Sequence, residues 1–254
     1  MLDREITLPF PPRRIVSLVP SQTELLHHLG LEKETIGITK FCVHPKKWHQ
    51  NKTRVGGTKQ YDFDKIEALQ PDLIIANKEE NDRDQIERLA KQYPVWVSDV
   101  PHLAAAYDMI ERVGRLTDRK EVATDLASRL QTNFDRLKHA TLEPKRAAYF
   151  IWQNPLMVAG GGTFIDAVMR AGGFVNVFAD RARYPEISDA ELRRAAPETI
   201  LLSSEPFPFK ERHRAYFHDL CPAADIILAN GELFSWYGPR LLQTADYLRR
   251  LRGD

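Results

Sequence analysis

Cys42 and His44 stand two apart, just ahead of Pro45. Thiolate and imidazole are both ligands for zinc and iron. Two ligands do not complete a site, and no second pair of the CxxC or HExxH kind follows, so no permanent metal is expected. A loop histidine meeting a bound ligand, or that ligand's own metal centre, fits the pattern better. Glu79-Glu80 has the composition of an acid-base pair, but chain neighbours need not converge, and a solvated acidic patch is the plainer reading. Ser203-Ser204 lacks the GxSxG frame of a nucleophile elbow. Gly160-Gly161-Gly162-Thr163 precedes a helix, and its amides could hold an anion. Without the lysine of a P-loop, a glycine turn with Thr163 as helix cap is favoured. No catalytic residue is assigned.

The elements that must position these residues alternate between strand and helix. Residues 13–20, 35–38, 73–76 and 95–97 are apolar runs of strand length. Between and after them, helices are predicted from Ser21 (as N-cap, with Glu24 closing a capping box) to Leu29, and over 65–69, 82–92 and 103–116. From Asp118 to His139 neither Gly nor Pro occurs, and Val122, Leu126, Leu130, Phe134 and Leu137 recur at helical spacing. That helix would be roughly 30 Å long, about the width of a small domain. Alternation then resumes, with strands at 147–152, 199–203 and 225–228 and helices at 164–171, 209–218 and 239–252.

The fold class expected is α/β: two Rossmann-like lobes with mostly parallel sheets, joined by one long rigid helix. The expected boundaries are 1–117, 118–140 and 141–254; a single sheet with one long crossover helix is the alternative. In such sheets ligands collect beyond the carboxyl ends of the strands. There the first lobe offers Ser21, Gln22, Cys42, His44, Asn77, Lys78, Glu79, Glu80, Asp99 and His102. The second offers Gln153, Asn154, Ser204, Glu205 and residues 232–237, amid Trp152, Tyr184, Phe207, Phe209, Phe234, Trp236 and Tyr237. Large rings beside a few polar groups suit a large, flat, partly apolar ligand.

Composition narrows the classes. The chain has 254 residues, 43% hydrophobic and 28% charged, with a net charge of +1. It is an ordinary globular composition without the basic excess of a nucleic-acid binder. No apolar window is long enough for a membrane span, and two cysteines make no disulfide framework. The opening MLDREITLPFPPRR has no apolar core of a secretory signal, so if the chain is full length a cytoplasmic location is expected.

RRIVSLVPSQTELLHHLGL, VGGTKQYDFDKIEALQPDLIIANKEEN, the long helix, GGGTFIDAVMRAGGFVNVF and LFSWYGPRLL together resemble the class III, helical-backbone substrate-binding proteins of ABC importers. Among these receptors for cobalamin, haem and ferric siderophores, the likeness is nearest to cobalamin receptors and runs from Arg13 to Leu251. It implies a non-enzymatic, monomeric binding protein, periplasmic or at the cell surface, with an ABC permease as partner. It also implies a corrinoid or similar metal chelate, as transported ligand, in the cleft between the lobes.

Carried over by position, the receptors' tyrosine before a proline falls at His44, a cleft tryptophan at Asn77 and a second-lobe tryptophan at Tyr184. Their acid-tryptophan-phenylalanine run becomes Glu232-Leu233-Phe234, with Trp236 and Tyr237 behind. The expected contacts are then His44 and Cys42 nearest the metal centre; Trp152, Tyr184, Phe234, Trp236 and Tyr237 on the macrocycle; and Lys59, Asn77, Lys78 and Glu232 at its polar edges. The docking acids are shifted in register: Asp82 and Asp84 flank Arg83, and Asp189 and Glu191 flank Ala190. Haem, a ferric siderophore, or a bare transition metal on His44, His102 and one of Glu79, Glu205 or Glu232 are the alternative ligands. An intracellular enzyme acting on a metal-chelate cofactor is a third reading.

Overall fold

The computed structural model describes residues 5–139 and 143–253, with backbone alone at 138 and 139. Expectations that touch Met1 and Ala140 lie outside the described residues. The chain forms two compact units. The first holds Met1–Val100, Ala104–Leu130 and Tyr237–Arg240; the second holds Pro101–Leu103, Gln131–Trp236 and Leu241–Asp254.

The first unit runs β1 (Ile15–Ser17), α1 (Pro20–His28), β2 (Thr35–Ile38), α2 (Lys46–Asn51), β3 (Thr53–Arg54), α3 (Phe63–Leu69), β4 (Leu73–Asn77), α4 (Arg83–Leu89), β5 (Val95–Ser98) and α5 (Leu103–Leu116). Its strands pair in the order β3-β2-β1-β4-β5, every pairing parallel. Parallel strands buried on both faces are apolar throughout, and Leu73, Ile74, Ile75 and Ala76 have no exposed surface. Because the strands share one direction, the loops after β1, β2, β3, β4 and β5 all leave the same edge.

The long helix α6 (Lys120–His139) belongs to both units by sequence. Ala123, Leu126, Leu130, Phe134 and Leu137 form its buried stripe. Val122, expected in that stripe, is 42% exposed, because Ala123 takes the inward position and fills the space beside Gly114.

The second unit runs β6 (Lys145–Trp152), β7 (Leu156–Val158), α7 (Phe164–Ala171), β8 (Phe174–Asn176), β9 (Glu186–Ile187), α8 (Asp189–Ala195), β10 (Thr199–Ser203), α9 (Glu211–Leu220), β11 (Asp225–Ala229), α10 (Glu232–Ser235) and α11 (Leu241–Arg252). Its sheet has the order β11-β10-β6-β7-β9, with β8 also on β6. The β6–β7 and β7–β9 pairings are antiparallel, so the sheets are parallel-dominated rather than alike.

Two local readings need correction or gain a reason. Ser21 is not the N-cap of α1: the cap is Val19, without a side-chain bond, and Pro20 leads the helix, where its missing N–H costs nothing. Glu24 instead forms a two-bond ion pair with Arg240 at 3.0 and 2.7 Å. Thr163 does cap α7, its hydroxyl accepting from the amide of Asp166. The amides of Gly160 and Gly161 are used by the carbonyls of Arg183 and Arg181. A side chain at either glycine would strike backbone oxygen at 2.1–2.2 Å, so these glycines serve close strand approach and hold no anion.

Candidate functional site

On the first unit, the site edge is built by side-chain amides. Asn77, at the end of β4, donates to the carbonyl and hydroxyl of Ser98, and its oxygen accepts from the amides of Glu79 and Glu80. Gln22 donates to the same Ser98 hydroxyl. Asn81 accepts from the amide of Asn77 and donates to the carbonyls of Leu18 and Thr58, tying three loops together. Gln85 then clamps the next loop, donating to Lys59 O and accepting from Tyr61 N. Asn77 is 1% exposed. It therefore shapes the edge and has no surface to offer a ligand, contrary to its expected role.

Cys42 is likewise internal, with no exposed surface. Thr23 donates to its sulfur at 3.1 Å, and Thr39 lies at the same distance. Burial pushes the thiol's pKa up, and with no exposed surface the sulfur is closed off from a bound ligand. What it anchors is the loop that carries Phe41, 51% exposed, Val43, 39% exposed, and the half-buried His44. Lys59 and Lys78 stand exposed on neighbouring loops, Lys78 paired with Asp99 at 2.6 Å. Next to Phe41, the residues Lys40 and Gly56 to Asp62 line a cavity of about 730 Å3.

The second unit builds its edge from rings and a carboxylate. Trp152, partly exposed at the end of β6, meets Phe207 edge-on at 5.5 Å, and Phe207 meets Phe209 and His213. Phe234 is fully buried against Tyr149 at 4.8 Å and Tyr247 at 6.2 Å, so it supports the edge instead of facing a macrocycle. Trp236 is also buried, its indole N–H donating to Glu205 at 2.9 Å; Ser235 donates to the same oxygen at 2.7 Å. Tyr184 and Glu232 are half-buried. Tyr237 is buried too and belongs to the first unit.

The four docking candidates differ. Asp82 caps α4 through the amide of Gln85, whereas Asp84 is exposed in the first turn. Asp189 accepts from the Tyr216 hydroxyl, whose pKa rises to about 12 through burial and this bond. Glu191 closes the capping box of α8 on Ser188 and pairs with Arg181. The Arg181 bond and those from Ser188 hold its carboxyl at about 2. Among the described residues, no group of three or more His, Cys, Asp or Glu is placed to hold a bare metal ion.

The family model for "Periplasmic binding protein" matches residues 15–216. The chain belongs to that family. Family members are binding proteins, and this one is a solute-binding protein with their two-unit α/β fold. It is 25% identical over 248 residues to the vitamin B12-binding protein of Yersinia pestis (strain Pestoides F), covering 96% of this chain and 88% of that one. Among solved structures it resembles the periplasmic vitamin B12-binding protein BtuF of Vibrio cholerae, with a TM-score of 0.82, 25% identity and 96% and 98% of the two chains covered. The periplasmic haem-binding protein HutB of Vibrio cholerae shares the fold: TM-score 0.80, 20% identity, 94% and 98% covered.

In this periplasmic binding protein, reading the sequence missed the residues that do the positioning: Asn81, Gln85 and Ser98. Ser98 alone carries a sequence signal, a hydroxyl closing the β-run VWVS; Asn81 lies in the loop after LIIAN and Gln85 within α4. A buried amide there satisfies loop carbonyls that the sheet cannot reach. No helix of the described residues is long and apolar enough to cross a membrane.

Proposed function

We propose that this protein holds a corrinoid for ABC-type uptake, with His44 as the side chain that meets the cobalt. The observation that carries this reading is the loop after β2. It carries a part-exposed imidazole directly after two exposed apolar side chains, Phe41 and Val43, on a base fixed by Cys42, Thr23 and Thr39. A folded surface seldom displays large apolar groups around a metal-ligating ring unless an apolar, metal-bearing partner covers them. The vitamin B12-binding relatives, matched over nearly the whole chain, support the same ligand class. On the second unit we assign Trp152 to ring packing, with Tyr184 and Glu232 as polar neighbours. Lys59 and Lys78 serve the polar rim on the first. For docking to a permease we assign Asp84, because Asp82, Asp189 and Glu191 already hold helix ends or a tyrosine.

The test is a visible-spectrum titration with aquocobalamin and with haemin, on wild type and His44→Ala. A band shift with aquocobalamin that is lost in the variant is the expected result. A shift with haemin alone would move the cargo to haem. Silence of the wild type with both would overturn the reading.

A further inference from the structure

The loop between β3 and α3 sorts its polar groups by sign. Its carbonyls are taken from behind. Thr58 O accepts from the Tyr61 hydroxyl at 2.7 Å and from Asn81 at 3.0 Å. Lys59 O accepts from Gln85 at 2.6 Å, and Gln60 O from the amide of Gly57 at 2.7 Å. Among the described residues, the amides of Thr58, Lys59 and Gln60 meet no acceptor in the chain, and neither Lys40 nor Lys59 has a carboxylate partner. Lys40 lies close by: a Cβ placed on Gly57 would come within 3.6 Å of its Cε and 3.3 Å of the Phe41 ring. The Lys40 ammonium sits 5.2 Å from the centre of that ring.

Residues 58–60, whose amides meet no acceptor among the described residues, and Lys40 line one cavity of about 730 Å3. Successive backbone donors of this kind form anion-binding concavities, and a fixed loop offers them without further ordering. The acid on its wall, Asp62, is occupied: it caps α3 through the amide of Lys65 and pairs with the Lys65 ammonium at 2.9 Å. Asp82 and Glu80 act on Tyr61, whose pKa is raised first by burial, then by Asp82 and more weakly by Glu80.

We propose that Lys40, Lys59 and the amides of residues 58–60 form an anion subsite, which takes a carboxylate or phosphate group carried on the rim of the bound chelate. This rests on the reading under Proposed function and narrows it, since a ligand without an anionic arm gains nothing here.

The experiment pairs ligands that differ by the anion alone or by the arm that bears it. Aquocobalamin, which carries a phosphodiester, is compared with cobinamide, which lacks it. Haemin is compared with its dimethyl ester. Affinities come from visible titrations of wild type, Lys40→Gln/Lys59→Gln and, as a control on the same unit, Lys91→Gln. Wild type and the Lys91 variant should favour the anionic member of a pair by about tenfold, the scale of one charge-assisted hydrogen bond. The double variant should bind both members alike. A preference confined to the cobalamin pair identifies the phosphodiester, and one confined to the haem pair identifies a propionate. A preference that survives in the double variant overturns the subsite while leaving the corrinoid reading intact, as does a wild type indifferent within the pairs it binds. A wild type that binds none of the four overturns both.

Discussion

The two units end their parallel strands in the same way and finish those ends with different chemistry. The first uses the amides of Gln22, Asn77, Asn81 and Gln85, which reach the Ser98 hydroxyl and nearby carbonyls and leave lysines outside. The second uses a lattice of rings, Phe234 on Tyr149 and Trp152 on Phe207, with the Glu205 carboxylate fixed by two donors. An amide clamp sets backbone position through directional bonds and displays whatever side chains the loop carries. A ring lattice sets position by packing, so the rings that could face a ligand and the rings that support them are hard to tell apart until the packing is known.

The difference can be broken most severely at Phe234. Phe234→Ala removes a fully buried ring from the lattice and should cost about 3–5 kcal/mol, read as a lower denaturant midpoint for the unfolding of the second unit. A cost below about 1 kcal/mol would mean that the ring carries little of the edge.

Asn81→Ala tests the amide side. It removes the Asn81 bonds to the Leu18 carbonyl and the Asn77 amide and leaves Thr58 O with the Tyr61 hydroxyl alone, at about 1–3 kcal/mol for a buried group left unsatisfied. Faster amide hydrogen exchange at Gly57 and Tyr61 should accompany it, because the clamp on their loop is gone. Unchanged exchange there would separate Asn81 from that loop.

The smallest effect sharpens the contrast at an exposed helix start. The Glu191 carboxyl is held at about 2, below its ordinary 4.5, by Arg181 and Ser188. Its stabilisation is therefore full above pH 4.5 and fades as the pH falls toward 2. Glu191→Gln should unfold slightly earlier than wild type at pH 6, and the gap should close across that window. A gap constant with pH would remove the charge from the account.

Much of the fold is legible in the sequence because it depends on local repetition. Apolar runs such as LIIA and TILLS bury on both faces, and strand residues 35–38 and 199–203 and helix residues 103–116 and 164–171 stand where periodicity puts them. The capping motif at Ser21 misled because Pro20 starts the helix a residue early and Glu24 finds Arg240 far along the chain. The short strands β7, β8 and β9 have too few residues to show a period; β7 and β8 take their register from β6, and β9 takes its register from β7.

At the candidate site the sequence by itself determined residue chemistry: a histidine between apolar neighbours, lysines after strands, and rings gathered late in the chain. Only the tertiary structure decided which of these face outward. Cys42, Asn77, Phe234, Trp236 and Tyr237 have the right chemistry for a ligand and are buried, while His44, Lys59 and Trp152 keep exposed surface. Burial is a property of what packs against a side chain, and those partners lie far off in sequence: Ser98 for Asn77, Tyr149 for Phe234, Glu205 for Trp236. The sorting of loop donors from loop acceptors around Lys59 has the same origin, because Asn81 and Gln85 must first be brought to it by the fold.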